Sequence, residues 1–466
     1  MRVVVIGGGI SGLAAAHRLS ELLRQKSEIQ ITLLEAGDRL GGIVQTESRD
    51  GFLIEAGPDS FISEKPWALE LFKRIGLENE IIPTQEAHRQ SFIYVNGRLV
   101  PVPRGFYLTA PARLSSLVGT RLLSIHGKIR ASLEPLIPRR KKTGDETVAS
   151  FIRRRLGQEV LERIGQPMIG GIYMANPEEL SLQATFPKFL QLEEKYGSVI
   201  KGLSAQEKGA AQEARLASGP RYSLFLSLRG GMEQGVKALV ARMPDVQVQM
   251  LQRVKTIERN KSWKIVLEKG DPIEADAVCL ALPAFAAARL LSSTSHEIGT
   301  FLKEIDYTSM ASIHFAFRES DLRRFPKGFG FVVPSRERKI ITACTFSSIK
   351  FSGRAPKGFL SMRIFVGSAQ VLSWEDRQIE TVIRRELAEI LNIHAEPVFC
   401  LIRRAPDSMP QYRLGHLDRV AAIEKRLKEY PGLFLAGNAY RGIGIPDCIH
   451  SGEQAAEGIV KYLGDK

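Results

Sequence analysis

An apolar run, Val3 to Ile6, ends in Gly7-Gly8-Gly9-Ile10-Ser11-Gly12, and helical periodicity begins at once with Leu13, Ala16 and Leu19. A short buried strand that meets a helix through three glycines restricts the chain to few folds. Gly7 permits a tight turn, Gly9 lets backbone approach a pyrophosphate, and Gly12 lets helix and strand pack closely. The helix amides, Gly8, Ile10 and Ser11 among the nearby donors, then face an anion. A second apolar run, Ile29 to Leu34, ends at Glu35, 23 residues beyond Gly12. A carboxylate there can accept hydrogen bonds from ribose hydroxyls, whereas a 2'-phosphate would require an arginine. Strand, glycines, helix, strand and acid in this order predict a dinucleotide site rather than an isolated turn.

The 466 residues, 44% hydrophobic, suffice for a large core divided into two or three lobes. No run of 18 apolar residues occurs, which argues against a spanning helix. Because the glycine motif starts at residue 7, no leader peptide is expected ahead of it, and a cytoplasmic location follows. Cys279, Cys344, Cys400 and Cys448 lack CxxC spacing and the histidines are dispersed, so neither a disulfide framework nor a metal site is predicted.

The net charge of +14 invites an anionic partner: nucleic acid, an anionic membrane surface or a polycarboxylate substrate. A surface charged for solubility is the alternative. The basic runs Arg139-Arg140-Lys141-Lys142 and Arg153-Arg154-Arg155 carry no interleaved aromatic residues, so no nucleic-acid partner is expected.

Further along, Ile43 to Ile54 reads as a hairpin turning at Asp50-Gly51 and leads into Gly57-Pro58-Asp59-Ser60, and Phe92 to Val102 reads as a hairpin turning at Asn96-Gly97. Trp67 to Ile75 has helical spacing. Leu114 to Ile137 reads as a basic amphipathic helix, which either lies on a membrane surface or packs its apolar face on its own lobe. Ser204 to Ser218 is an expected exposed loop or marginal helix. Val246 to Ile257 and Trp263 to Leu267 read as strands, and Ala277 to Leu282 as a strand returning to a parallel sheet. Four strands between Ser312 and Val366 suggest an antiparallel sheet in a second lobe. Glu375 to Leu391 is helical. At the end, a strand at Leu433 to Ala436, glycines and a helix from about Ser451 to Leu463 repeat the opening pattern.

The tract from Val3 to Gly42, with Glu35-Ala36 and Arg39-Leu40-Gly41-Gly42, resembles the FAD-binding signature of the amine oxidase and porphyrinogen oxidase superfamily. Gly57-Pro58-Asp59-Ser60-Phe61, Gly170-Gly171-Ile172-Tyr173, Thr185-Phe186-Pro187, Thr342-Ala343-Cys344-Thr345, Ser408-Met409-Pro410-Gln411-Tyr412 and Gly442 to Ile449 are similar to the porphyrinogen oxidases, over essentially the whole chain. The likeness is greatest to the bacterial enzymes of Gram-positive type, which act on coproporphyrinogen III.

The resemblance implies an α/β protein with a Rossmann-like FAD-binding domain over 1–85, 222–300 and 405–466. It further implies a mixed α+β substrate domain over 86–107, 172–221 and 301–404, and a helical, membrane-binding-like lobe over 108–171. It gives Glu35 the adenosine ribose and lays Arg39, Gly41 and Gly42 along the pyrophosphate, with Ala36 and the loop Gly57, Pro58, Asp59, Ser60 near the cofactor. Val254 would meet the adenine edge through its backbone. Gly437, Gly444 and Ile445 would approach the isoalloxazine and pyrophosphate.

The expected reaction is the six-electron oxidation of coproporphyrinogen III to coproporphyrin III with dioxygen as acceptor, in haem biosynthesis; protoporphyrinogen IX is the alternative substrate, and an amine a more remote one. Amine oxidases carry a cage tyrosine where this chain has Gly444, and a glycine suits a flat macrocycle better. Flavin N5 carries the chemistry, so no side chain is assigned as catalytic acid or base. A tetrapyrrole with propionates needs apolar walls and cations at its rim. Ile172 and Tyr173 are candidate walls, with core packing as the alternative, and Lys65 is a candidate cation, with simple solvation as the alternative. Hand-over of product to a ferrochelatase and peripheral contact with the inner face of the membrane complete the expected partners.

Overall fold

A computed structural model describes residues 1–465 except 25, 27, 104, 142, 143, 217–223, 323 and 368, and leaves the side chains of 209–216 and 369 undescribed. Lys142 of the first basic run, and 217–218 at the end of the expected exposed segment, lie outside the described residues. The chain divides into two compact units: Met1–Pro83, Tyr222–Asp306 and His416–Lys466 form the first, Thr84–Arg221 and Tyr307–Gly415 the second.

The first unit is built on five parallel strands in the order Val246–Gln249, Gln30–Leu34, Arg2–Ile6, Ala277–Leu280, Leu433–Leu435. Val3, Val4 and Val5 are fully buried, as are Ala277 to Leu280, so these short runs are apolar on both faces, as a covered parallel sheet requires. The helices Ile10–Leu23 and Ile445–Gly464 pack on one another. A Cβ on Gly452 would lie 2.2 Å from the Ser11 carbonyl oxygen, so this helix crossing needs a glycine. The last helix starts at Ile445, earlier than the expected Ser451, because Gly444 and Pro446 are its cap and first turn rather than loop.

The expected single strand from Val246 to Ile257 is two. Val246–Gln249 joins the parallel sheet, while Val254–Arg259 pairs with Trp263–Leu267 in a separate antiparallel sheet. Between them Leu251 takes a left-handed φ of 58°, and the backbone turns to bond residues 35–37.

The second unit holds a seven-stranded sheet in the order Phe399–Pro410, Tyr307–Arg318, Phe359–Val366, Ala343–Thr345, Gly330–Val332, Ser91–Val95, Arg98–Pro101. All neighbours are antiparallel except Gly330–Val332 with Ser91–Val95. Both expected hairpins form, with Asp50-Gly51 and Asn96-Gly97 at positive φ as tight turns between twisted strands demand. Ile313, Phe315 and Phe317 pack with Ile379, Ile383 and Leu387 of the helix Asp376–Leu391 in one core.

Leu114 to Ile137 is not one helix. It forms helices Ser115–Val118 and Ile125–Ser132 and a 3-10 turn Glu134–Leu136. Its apolar residues divide between the two expected fates: Leu117, Leu122, Leu123 and Ala131 are buried, whereas Leu114, Val118, Ile125, Ile129, Leu133 and Leu136 are exposed, Leu136 at 78%. The segment is also held by a fully buried ion pair of Arg155 with Glu134. Arg155 also donates to the Ile137 carbonyl at 2.9 Å, and Glu134 accepts the Val199 amide at 2.9 Å, so the buried charges are paired and hydrogen-bonded. Residues 204–216 belong to a helix, Val199–Leu216. Among the described residues no helix is long and apolar enough to cross a membrane.

Candidate functional site

The glycine turn lies at the carboxyl end of the Arg2–Ile6 strand, where open α/β sheets bind ligands. Gly7 and Gly12 have steric reasons within the protein, and Gly9 has none. A Cβ on Gly12 would stand 1.8 Å from the Gly7 carbonyl oxygen, so Gly12 is required by the strand-to-helix packing, and one on Gly7 would stand 2.3 Å from the Ala281 oxygen, so Gly7 is required by the close approach of the chain leaving the neighbouring strand. A Cβ on Gly9 would meet nothing within 4 Å. The protein leaves open space beside Gly9, which is the room a cofactor backbone contact needs.

Gly9 caps the helix Ile10–Leu23 in extended conformation, and no side chain caps its first turn. The amides of Ile10, Ser11 and Gly12 therefore have no intrahelical acceptor and present positive charge to that space. Glu35 stands beside it: one carboxylate oxygen accepts the Gly8 amide and the other the Gly37 amide, each at 2.7 Å. Ala36 lies between these two anchors.

The loop 39–42 closes on the turn. The Gly41 amide donates to the Gly8 carbonyl at 2.8 Å, and Gly41 and Gly42 have φ of 101° and 59°, open to glycine at little cost. Arg39 braces the loop, donating to the carbonyls of Gly42 at 2.6 Å and Val44 at 2.8 Å. A Cβ on Gly57 would fall 1.7 Å from the Ile43 oxygen, so the loop with Pro58, Asp59 and Ser60 runs against the same segment. Ser227 donates to the Asp59 carbonyl at 2.7 Å, which pins it. The Gln252 amide donates to the Glu35 carbonyl at 2.8 Å, bringing the start of the Val254 strand to the acid.

The second glycine cluster belongs to the same unit. The Gly437 amide donates to Ser451 at 3.0 Å, and Gly444 caps the Ile445 helix with no side-chain cap. The Cys448 thiol meets the Ser11 side chain, so the two uncapped helix starts are neighbours. Burial pushes that thiol up to about 12, and it stays protonated. Among the described residues no group of three His, Cys, Asp or Glu could hold a metal.

Lys65 is not a free cation. Its ammonium lies 2.6 and 2.8 Å from the two oxygens of Asp447, in the first turn of the Ile445 helix. The sequence reading missed Asp447 as a partner, and no local spacing could have revealed a residue so distant in the chain. In the second unit, Tyr173 is buried with its ring edge-on to Phe186 at 5.5 Å, whereas Ile172 is 41% exposed.

The backbone around Gly9 thus forms a cradle with space, uncapped amides and one anchored carboxylate, and this fits a dinucleotide. The model of the family described as flavin containing amine oxidoreductase matches residues 10–460. A coproporphyrinogen III oxidase of Bacillus subtilis is 34% identical, over 99% of this chain and 98% of its own length. One of Staphylococcus aureus is 33% identical over 99% of each. A protoporphyrinogen oxidase of Bos taurus is 31% identical over 98% of each. A crystal structure from Exiguobacterium sp. 255-15 superposes with a TM-score of 0.86 at 32% identity, covering 99% of both chains. The chain is a member of the flavin containing amine oxidoreductase family.

Proposed function

We propose that this protein oxidises coproporphyrinogen III to coproporphyrin III, with FAD as cofactor and dioxygen as acceptor, in haem biosynthesis. The observation that carries the substrate is the end-to-end similarity to two bacterial proteins of that name, at 34% and 33% identity. Protoporphyrinogen IX is the second reading, favoured by the 31% identity with the bovine protein.

The first unit is the FAD domain and the second the substrate domain, with 108–171 as a helical lobe within the latter. When bound, FAD would supply a two-electron hydride acceptor, so a six-electron oxidation would require three rounds, with three dioxygens reduced to three hydrogen peroxides. The chain's own groups bind and orient. Each Glu35 oxygen keeps a lone pair beyond its amide bond for a ribose hydroxyl. The amides of Ile10, Ser11 and Gly12, with Gly9 and the 39–42 loop, face the pyrophosphate. Val254 offers backbone to the adenine edge, and Gly437, Gly444 and Ile445 approach the flavin. Lys65, already paired with Asp447, is the candidate cation for a propionate, and in the second unit Ile172 and Tyr173 are the candidate apolar wall. Pyrrole protons leave to solvent, and no side chain is assigned as their base.

The partners proposed beyond substrate and dioxygen are a ferrochelatase that receives the porphyrin and an anionic membrane surface touched by the exposed apolar residues between Leu114 and Leu136. The substrate test is direct: the purified flavoprotein is incubated with coproporphyrinogen III, protoporphyrinogen IX and a primary amine, following porphyrin fluorescence and peroxide. The expected result is fastest fluorescence growth with coproporphyrinogen III. No porphyrin from either tetrapyrrole would sink the reading.

A further inference from the structure

The strand Tyr307–Arg318 has two unlike faces. Ile313, Phe315 and Phe317 point into the aliphatic core. Ser312 and His314 point the other way, and the register puts charged residues beside them: Ser312 opposes Arg403 and Phe365, and His314 opposes Arg363 and Leu401. Directly opposed residues in an antiparallel pair share a face. The Arg363 guanidinium stands 4.5 Å from the Phe365 ring centroid, and Ser312 lies 3.2 Å from the His314 ring nitrogen Nε2. Ser312, His314 and Arg363 are buried, while Arg403 and Phe365 are half-buried.

The same face carries the family segment around Ile172. Val332 and Ala343 continue the row through Phe365, and a Cβ on Gly171 would lie 3.3 Å from Val332. A half-buried aromatic ring, aliphatic neighbours and two guanidiniums on one surface match a flat apolar molecule with carboxylates on its rim. Guanidinium is the side chain best shaped to grip a carboxylate, through paired N–H donors. We propose that Arg363 and Arg403 bind a rim carboxylate of the substrate, with Ser312 and His314 between them, making this sheet face a propionate subsite. The inference rests on the porphyrinogen reading. Burial, then Arg363 and Arg403, hold the His314 imidazole well below its usual range, so it adds no third positive charge and can accept a hydrogen bond. Because the subsite recognises carboxylate, a substrate with four propionates has more ways to engage it than one with two.

The test compares wild type, Arg403→Gln, Arg363→Gln and Arg363→Lys, each loaded with flavin. Fluorescence titration with coproporphyrin III and with its tetramethyl ester reads the charge directly, and steady-state assays give KM for coproporphyrinogen III. Both Gln variants are expected to weaken coproporphyrin III on the order of tenfold and raise KM similarly, with the ester unaffected and Arg363→Lys partly restored. Equal weakening of acid and ester, or no change in either, overturns the subsite. If Arg363→Gln does not fold, Arg403→Gln on its half-buried strand decides alone. A wild type that oxidises neither porphyrinogen, yet discriminates acid from ester through these arginines, would remove the oxidase reading and leave the subsite standing.

Discussion

The Glu35 carboxylate accepts the Gly8 amide on one oxygen and the Gly37 amide on the other, both at 2.7 Å. The acid is therefore fixed in orientation before any ribose arrives. Glu35→Gln must turn an NH2 group toward one of those amides, which removes a charge-assisted bond worth about 1.5–3 kcal/mol. Part of that loss falls on the cofactor, so FAD affinity is expected to fall roughly tenfold or more. Titration of apoprotein with FAD measures this, and an unchanged dissociation constant would remove Glu35 from the site.

Gly9 and Gly12 should fail in different ways. Gly12→Ala drives a methyl to 1.8 Å from the Gly7 oxygen, and overpacking of this kind costs about 1–3 kcal/mol even without flavin. Gly9→Ala meets nothing in the protein and sits at φ −69°, so the apoprotein should melt as wild type does. Its flavin content should nonetheless collapse, because the methyl occupies the cofactor's space. Equal destabilisation of the two apoproteins would show that Gly9 is packing, not cofactor room.

Lys65 separates a binding role from a tether. The pair with Asp447 is 43% exposed on the lysine side and 10% on the aspartate side, so solvent screening limits its contribution to about 1 kcal/mol or less. Lys65→Met is therefore expected to shift the melting temperature little while raising KM for coproporphyrinogen III severalfold. A large stability loss with unchanged KM would make it a strut between the loop after Ser60 and the last helix.

How much of this could be read from the chain depends on how local the cause is. The turn at Gly7 to Gly12, Glu35 and the two hairpins were legible because each depends on spacing within a few dozen residues. The strand at Val246 was misread at its far end because apolar character continues across a point where the backbone leaves one sheet for another, and only the bonds to residues 35–37 explain the turn. In Leu114 to Ile137, periodicity revealed apolar residues but not which of them pack: Leu117, Leu122, Leu123 and Ala131 are buried while Val118, Ile125, Ile129 and Leu136 are exposed, and the buried pair of Glu134 with Arg155 that holds the segment depends on a residue beyond it in the chain. Asp447 lies 382 residues from Lys65, and the strands bearing Arg363 and Arg403 meet Ser312 and His314 only through sheet register.

Two histidines make stability depend on mild acid. Burial lowers both His17 and His314; Arg363 and Arg403 reinforce the effect at His314, while Glu21 opposes it at His17. Above about pH 6.5 both are neutral in folded and unfolded chains and their contribution is complete. As pH falls below that value the unfolded chain takes up protons that the folded one refuses. Stability then drops by up to about 1.4 kcal/mol per pH unit for each group, until the folded value is reached. Urea unfolding at pH 7.5 and 5.5 should show the loss, and His314→Gln should shrink it. The same pH slope in the variant would exclude His314 as a source.

The exposed residues Val118, Ile125, Ile129 and Leu136 present apolar surface on a segment whose one acidic residue between 113 and 141, Glu134, is buried in an ion pair. Arg121, Arg139 and Lys141 are exposed around it. Apolar side chains set among unopposed cations suit the boundary of an anionic bilayer, where each cation near the surface adds about 1 kcal/mol. The shape is a shallow one, short helices rather than a spanning one, so contact should be reversible. Sedimentation with phosphatidylserine-containing vesicles is expected to carry the protein down at low salt, and neutral vesicles should carry much less. Ile125→Glu with Leu136→Glu places carboxylates where the apolar contact would be and should abolish the binding without affecting the fold, since both positions face solvent. Binding that survives the double substitution would move the contact elsewhere on the basic surface, and absence of binding by wild type would end the membrane reading.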